Sequence, residues 1–275
     1  MPCKFPGNFF AIKPNGGLIL NKNKTFSFKP QAFYLETFDS FTSGQTLTND
    51  GSFAPTLDFF GLIDSFEVHS GSGVGSSMSA RSTADSCNTF TCLSWDSNKT
   101  SKVNFECLVK WSHQNSNPGS EGEVFFINLR DSTSASSGIS DVSNRIGFLI
   151  SKRTDGDYQL YATDKAAPKT SLATISKSDI EYDTSDTNWI KFVATINKTS
   201  TSNRWDLSVK LYGLGPNGLD QPNLITSNSA SSLYDNNVYN NKMYFQIFVY
   251  GFSSPSPIKT EFLLDNLKLS PLPTS

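Results

Sequence analysis

The chain has 275 residues, of which 22 are phenylalanine and only 17% are charged, and its formal net charge is -2. It carries no basic cluster, so the electrostatic footprint that nucleic acid or an anionic membrane needs is missing. No stretch approaches the ~20 apolar residues that span a bilayer as a helix, so membrane insertion is not expected.

Residues 1–32 are interrupted by Pro2, Pro6, Pro14, Gly16, Gly17 and Pro30, with short apolar pieces such as Leu18-Ile19-Leu20 and Phe26-Ser27-Phe28 between them. Such a segment buries too little surface to fold alone, yet Phe5, Phe9, Phe10, Phe26 and Phe28 are too apolar for a solvated tail. It reads as an extended arm that packs on its own domain or on a neighbouring subunit. After Lys4 only Phe9 to Ile12 is apolar, too short for a secretory signal, so the Met1 start suits either an unprocessed product or one whose signal is gone.

The domain proper, residues 33–275, opens at Phe33-Tyr34-Leu35-Glu36-Thr37-Phe38-Asp39-Ser40 and closes at Phe262-Leu263-Leu264-Asp265-Asn266-Leu267-Lys268-Leu269. Val103, Phe105, Cys107, Val109 and Trp111 alternate with Asn104, Glu106, Leu108, Lys110 and Ser112, giving one apolar and one mostly polar face. Val124 to Arg130, Ile146 to Ile150, Tyr158 to Thr163 and Trp189 to Ile196 read as further strands, followed by Arg204 to Tyr212. Two Ser/Gly-rich stretches, Ser70 to Ser79 and Asp131 to Ser140, read as mobile loops. Lys242 to Phe252 is apolar on both sides and belongs inside a sheet. Met243, Phe245, Ile247 and Val249 share one face; Tyr244, Gln246, Phe248, Tyr250 and Phe252 share the other. That second face is either a second layer of core or the floor of a groove. Many short strands with no helical patterns between them predict an all-β fold, an antiparallel two-sheet β-sandwich.

The opening Phe38-Asp39-Ser40, the closing Phe262 to Leu267, and the middle W-x-K-F-x-A-T-I from Trp189 with W-D-L-S-V-K-L-Y from Trp205 resemble the concanavalin A-like lectin and glucanase superfamily. The resemblance covers residues 33–270 and implies a jelly roll whose first and last strands pair and whose curved sheet holds glycans on a concave face. The glycosidases of that superfamily place two glutamates four residues apart on one strand with an aspartate between them. This chain has no such pattern, and catalytic residues are not expected.

The nearest carboxylate pair, Glu121 and Glu123, follows a loop and reads as a solvated surface pair. His69 and His113 fall neither at zinc-ligand spacing nor beside a nucleophile, so no metal or cofactor is expected from them. Asp131, Asp141 or the pair Asp155 and Asp157 offer calcium-like oxygen ligands, but Thr154 to Asp157 reads as a hairpin turn centred on Asp155-Gly156. Cys3, Cys87, Cys92 and Cys107 are too few for a disulfide framework; Cys87 and Cys92 are near enough to close a small loop, and free thiols are the expected state. Three glycosylation sequons, at Asn23, Asn98 and Asn197, matter only in a secreted eukaryotic protein.

Binding is what remains. Aromatic rings that stack on sugar C–H faces and planar polar groups that satisfy hydroxyls occur at Tyr244, Gln246, Phe248 and Tyr250, with Arg204, Asp206 and Lys210 as candidate neighbours on another strand. The sequence therefore predicts a non-catalytic jelly-roll protein on an external surface. The first expectation is a virion structural, decoration or tail-associated component that meets copies of itself or a capsid or surface protein. The alternative is a secreted glycan-binding module, and a glycoside hydrolase or lyase stands third.

Overall fold

The computed structural model describes residues 4–5, 8–12, 17–20, 24–27, 34–47, 66–82, 88–97, 100–113, 121–130, 145–165, 169–201, 203–234, 242–249 and 259–272. Cys3, Phe28, Cys87, Asp131, Asp141, Tyr250 and the 131–140 loop lie outside these residues.

Strands β1 (Lys4–Phe5), β2 (Asn8–Ile12), β3 (Gly17–Leu20) and β4 (Lys24–Ser27) follow one another as an antiparallel sheet of four. The short apolar pieces read as an arm are thus paired with one another, Leu18 opposite Phe26.

The remaining strands are β5 (Tyr34–Glu36), β6 (Phe66–Ser70), β7 (Met78–Ser82), β8 (Asn88–Asp96), β9 (Lys102–His113), β10 (Gly122–Arg130) and β11 (Gly147–Lys152), then β12 (Tyr158–Thr163), β13 (Thr170–Ile175), β14 (Ile190–Lys198), β15 (Arg204–Gly213), β16 (Asn223–Tyr234), β17 (Lys242–Val249) and β18 (Lys259–Pro271). The one α-helix among the described residues, α1 (Lys177–Ile180), is a single turn. Two antiparallel sheets result: six strands in the order β13-β12-β11-β10-β17-β8, and eight in the order β16-β15-β14-β9-β18-β7-β6, with β5 also paired to β18. The chain is an all-β, two-sheet sandwich. First and last strands of the domain do pair, Leu267 opposite Glu36 and Leu269 opposite Tyr34.

Alternation dictates the core. Phe105, Phe192, Trp205, Leu207, Phe262 and Leu264 point inward from the larger sheet, and Phe125, Ile127, Ile150, Leu160, Phe245 and Ile247 meet them from the smaller one. Phe245 stacks on Phe105 across the interior at 4.3 Å and on Trp95 at 5.2 Å, and each such ring removed from water contributes ~1.5–3 kcal/mol. Strand β17 is flanked on both sides, by β10 and β8, as its apolar character requires. Cys107 is a free thiol facing this core, where burial raises its pKa far above the ordinary value. Asp155-Gly156 forms the expected β11–β12 turn, with Gly156 at φ 91° and the Arg153 N–H donating to the Asp157 carbonyl at 2.7 Å.

The Ser/Gly stretch after β6 is not a free loop. A 3₁₀ turn at Val74–Ser76 is held by Gly71 and Gly73 N–H groups donating to the Ser77 carbonyl and by the Gly75 N–H donating to the Asn217 carbonyl at 2.9 Å. These backbone donors find acceptors within the stretch and on the 214–222 turn, and Met78 and Ser79 already belong to β7.

Candidate functional site

The outward face of the larger sheet carries a cleft of about 370 Å³. Its floor is β9, β14 and β18, and its wall is the 214–222 turn between β15 and β16; Glu106, Lys191, Asn266, Lys268 and Asp220 are its polar lining.

Glu106 sits at the centre. Lys268 is directly opposite it on β18, and Lys191 is diagonal to it on β14. The Lys191 ammonium lies 2.8 Å from one Glu106 oxygen and the Lys268 ammonium 3.5 Å from the other. Asn104 Nδ2 donates to Glu106 Oε1 at 3.1 Å and its own carbonyl accepts from Thr195 Oγ1 at 2.9 Å. Burial alone would raise the Glu106 pKa, but hydrogen bonding and attraction from Lys191, with Lys268 behind it, outweigh burial and hold it below the usual carboxylate range.

A bulge in β18 makes this possible. Asp265 pairs with Leu108 and Lys268 with Glu106, so three steps on β18 match two on β9. The extra residue is Asn266, at φ 49°, a left-handed conformation that asparagine tolerates better than most residues. Simple alternation through Phe262 to Leu269 would put Asn266 and Lys268 in the core; the bulge resets it, so that Leu264 and Leu267 are both buried while Lys268 joins Glu106 outside.

Asp265 anchors the loop beside the cleft. Its carboxylate accepts from the Val74 N–H at 3.0 Å, from Ser77 Oγ at 3.5 Å and from the Asn266 N–H at 2.7 Å. Burial, with repulsion from Asp39, outweighs those bonds and pushes its pKa up to about 6. Beneath the loops a small apolar cluster, Leu108, Trp189, Leu214 and Leu263 with Val74 against it, fastens the 73–77 and 214–220 turns to the sheet. Gly218, at φ 74°, is needed there, since a Cβ would lie 2.9 Å from Val74 and 3.1 Å from Trp189.

The sequence-predicted face is divided by the fold. Gln246 and Phe248 are buried, and Phe248 packs with Phe126 and Leu149 in a cluster on the outer side of the smaller sheet. Of the two readings left open for this face, a second layer of core holds for these two residues, so they are corrected as floor of an open groove. The side chain of Tyr244 and all of Tyr250 lie outside the described residues. Arg204, Asp206 and Lys210 are on β15, in the other sheet, so they do not flank β17. Arg204 and Asp206 are occupied: the guanidinium donates to the Ser232 carbonyl at 2.7 Å and lies over the Tyr234 ring, and Asp206 accepts the Ser232 N–H at 2.9 Å. Lys210 is exposed and stands in the same cross-sheet row as Glu106, with Val193 between them. Glu121 accepts from the Tyr161 hydroxyl at 2.8 Å, and Glu123 pairs with Lys169 at 2.7 Å. Among the described residues no group of His, Cys, Asp and Glu is arranged to hold a metal ion.

Sequence reasoning missed Glu106, Lys191 and Lys268, which read as ordinary polar positions of half-buried strands. The one available signal was Asp265-Asn266, a polar pair interrupting the apolar closing strand.

No protein-family model matches the chain, and no curated protein matches it in sequence. Solved structures similar to it include the exoplasmic/lumenal domain of VIP36, at 13% identity over 88% of this chain and 95% of that one with a TM-score of 0.46. Lectin II from Ulex europaeus is similar at 13% identity, 87% and 99% coverage and a TM-score of 0.44. An alginate lyase from Chlorella virus is similar at 10% identity, 86% and 92% coverage and a TM-score of 0.40. No helix among the described residues is long and apolar enough to cross a membrane.

Proposed function

We propose that the chain is a non-catalytic saccharide-binding protein of an external surface, and that its ligand occupies the cleft over Glu106. The observation that carries this is the Glu106 carboxylate held between the Lys191 and Lys268 ammonium groups, with Asn266 at the same opening. Adjacent sugar hydroxyls each need one acceptor and one donor, and this set offers both at one opening. Leu35, Leu214 and Pro222 add apolar surface for C–H faces, and the cleft's size suits a mono- or disaccharide. The same electrostatics supports binding over acid catalysis, because a carboxyl held ionised by two ammonium groups has no proton to give a leaving group.

The test is a glycan array followed by calorimetry on wild type, Glu106→Gln and Lys191→Met. A sugar bound by wild type should lose tenfold or more of its affinity in both variants and be recovered unaltered after incubation. No sugar bound at millimolar concentration, or binding indifferent to both substitutions, would overturn the assignment.

A further inference from the structure

The wall of the cleft, the 214–222 turn, rests on the 73–77 turn. The Gly75 N–H donates to the Asn217 carbonyl at 2.9 Å, and Gly218 is packed so closely on Val74 that a Cβ there would lie 2.9 Å from it. The 73–77 turn is held in its turn by one side chain. Asp265 takes the Val74 N–H at 3.0 Å and the Ser77 hydroxyl at 3.5 Å on one carboxylate oxygen, and the Asn266 N–H at 2.7 Å on the other. Asn266 is the bulge residue and lines the cleft, whereas Asp265 is fully buried and does not. One carboxylate therefore ties the wall on one side to the floor on the other. An uncharged amide would fill the same space at a lower desolvation cost. The charge that acts on Asp265 is Asp39, which repels it while accepting the Met78 N–H at 3.3 Å. Other charged groups on the surrounding elements are engaged elsewhere: Arg81 of β7 with Glu261, Glu106 of β9 with Lys191 and Lys268, Lys110 of β9 with Asp186, and Glu36 of β5 with the Phe38 N–H. The 73–77 turn brings no charge, and the 214–222 turn brings Asp220 alone.

We propose, resting on the saccharide reading, that Asp265 is a positioning residue and proton-operated latch of the cleft: its carboxylate holds the wall and Asn266 in the binding geometry, and its protonation releases them and weakens ligand binding. An ionised carboxylate accepts all three donors, and its charge strengthens each bond. A protonated one has a hydrogen of its own to donate, which competes with the Val74 N–H and the Ser77 hydroxyl for the oxygen they share. Burial and Asp39 place the pKa at about 6, so the latch changes state between neutral and mildly acid solution. Where only the ionised form binds, the apparent affinity follows the ionised fraction and falls about tenfold one pH unit below that pKa. Glu106 stays ionised over the same range, since its pKa is held below 4.5, so the ligand-facing carboxylate does not produce this dependence.

The test uses the full chain and the sugar that the array selects, with calorimetry between about pH 5 and about pH 7.5. Wild-type affinity should fall about tenfold toward the acid end, and that of Asp265→Asn should stay level. Relative to Asp265→Asn, wild type should gain thermal stability toward acid while it loses affinity, opposite movements that a merely structural side chain does not give. Asp39→Asn removes the repulsion and should move the affinity midpoint to lower pH; Ser77→Ala removes a donor to the carboxylate and should move it to higher pH. Without sugar or variant, amide-exchange protection of Val74 and Gly75 should drop at the acid end. Histidines titrate in the same window, and His69 Nδ1 lies 3.2 Å from the Ser70 carbonyl just before the turn. A pH profile that survives Asp265→Asn and disappears in His69→Gln would overturn the proposal, as would an affinity that is level in wild type or a midpoint fixed in both shift variants. Failure to bind any sugar defeats the saccharide reading by itself; the latch then stands on a drop in Val74 and Gly75 protection and falls if that protection ignores pH.

Discussion

The two outward faces of the sandwich come from strands with similar alternation and meet opposite fates. On the smaller sheet the face holding Phe126, Leu149, Gln246 and Phe248 is buried. On the larger sheet the face holding Glu106, Lys191, Lys210 and Lys268 is open enough to form a cleft. Period-2 patterning sorts residues onto faces, but it does not say which face is covered.

Removing a side chain from each face breaks or sharpens this contrast. Phe248→Ala should cost ~3–5 kcal/mol in urea unfolding, because it leaves a cavity beside Phe126 and Leu149. Leu35→Ala on the larger sheet, where Leu35 is 59% exposed, should change stability by less than ~0.5 kcal/mol. Similar costs at the two sites would erase the distinction. The bulge comes next: Asn266→Val should cost ~1–2 kcal/mol, since a β-branched residue resists φ 49°, whereas Asn266→Gly should be nearly neutral. A Val variant as stable as the Gly variant would mean that the left-handed position does not set this register.

The two carboxylates of the larger sheet's outer face should show opposite pH dependence. Asp265 has its folded pKa raised to about 6 from 3.8, so the folded state holds its proton longer. Its contribution to stability is full below 3.8 and is lost as pH rises through about 6. Asp265→Asn should flatten the decline over that window in thermal unfolding. Glu106 has its folded pKa depressed below 4.5, so its contribution is present above that value and is lost as pH falls through the lowered one. Glu106→Gln should remove that acid-side loss, and near neutrality it should cost under ~1 kcal/mol because the pair is partly solvated. Acid-side profiles that run the same way in both variants would contradict these assignments. Smallest of all, Lys210→Ala should leave stability within ~0.5 kcal/mol, read by the same melts.

Most strands were legible because their inward residues repeat every second position: β9, β12, β15 and β17 follow their predicted spans within a few residues. Strands β7, β13 and β16 were not, since M-S-A-R-S, T-S-L-A-T-I and N-L-I-T-S-N-S-A-S-S-L-Y lack a large apolar repeat and are strands only because a neighbour supplies their hydrogen bonds. The cleft was illegible for a related reason. Glu106, Lys191 and Lys268 come from three strands far apart in the chain and meet through register alone, and Lys268 faces outward only because Asn266 takes an extra step.

By itself the sequence determined the sandwich and its core rings, because burial of alternating apolar side chains leaves few other arrangements; the pairing of its first and last strands came from the family resemblance. The tertiary structure alone decided that Phe248 is covered and Glu106 is reachable, and that β16 is the outermost strand of the larger sheet. Those depend on which segments lie over a face or beside an edge, and the free energy of that choice is spread over distant contacts that no local window of residues contains.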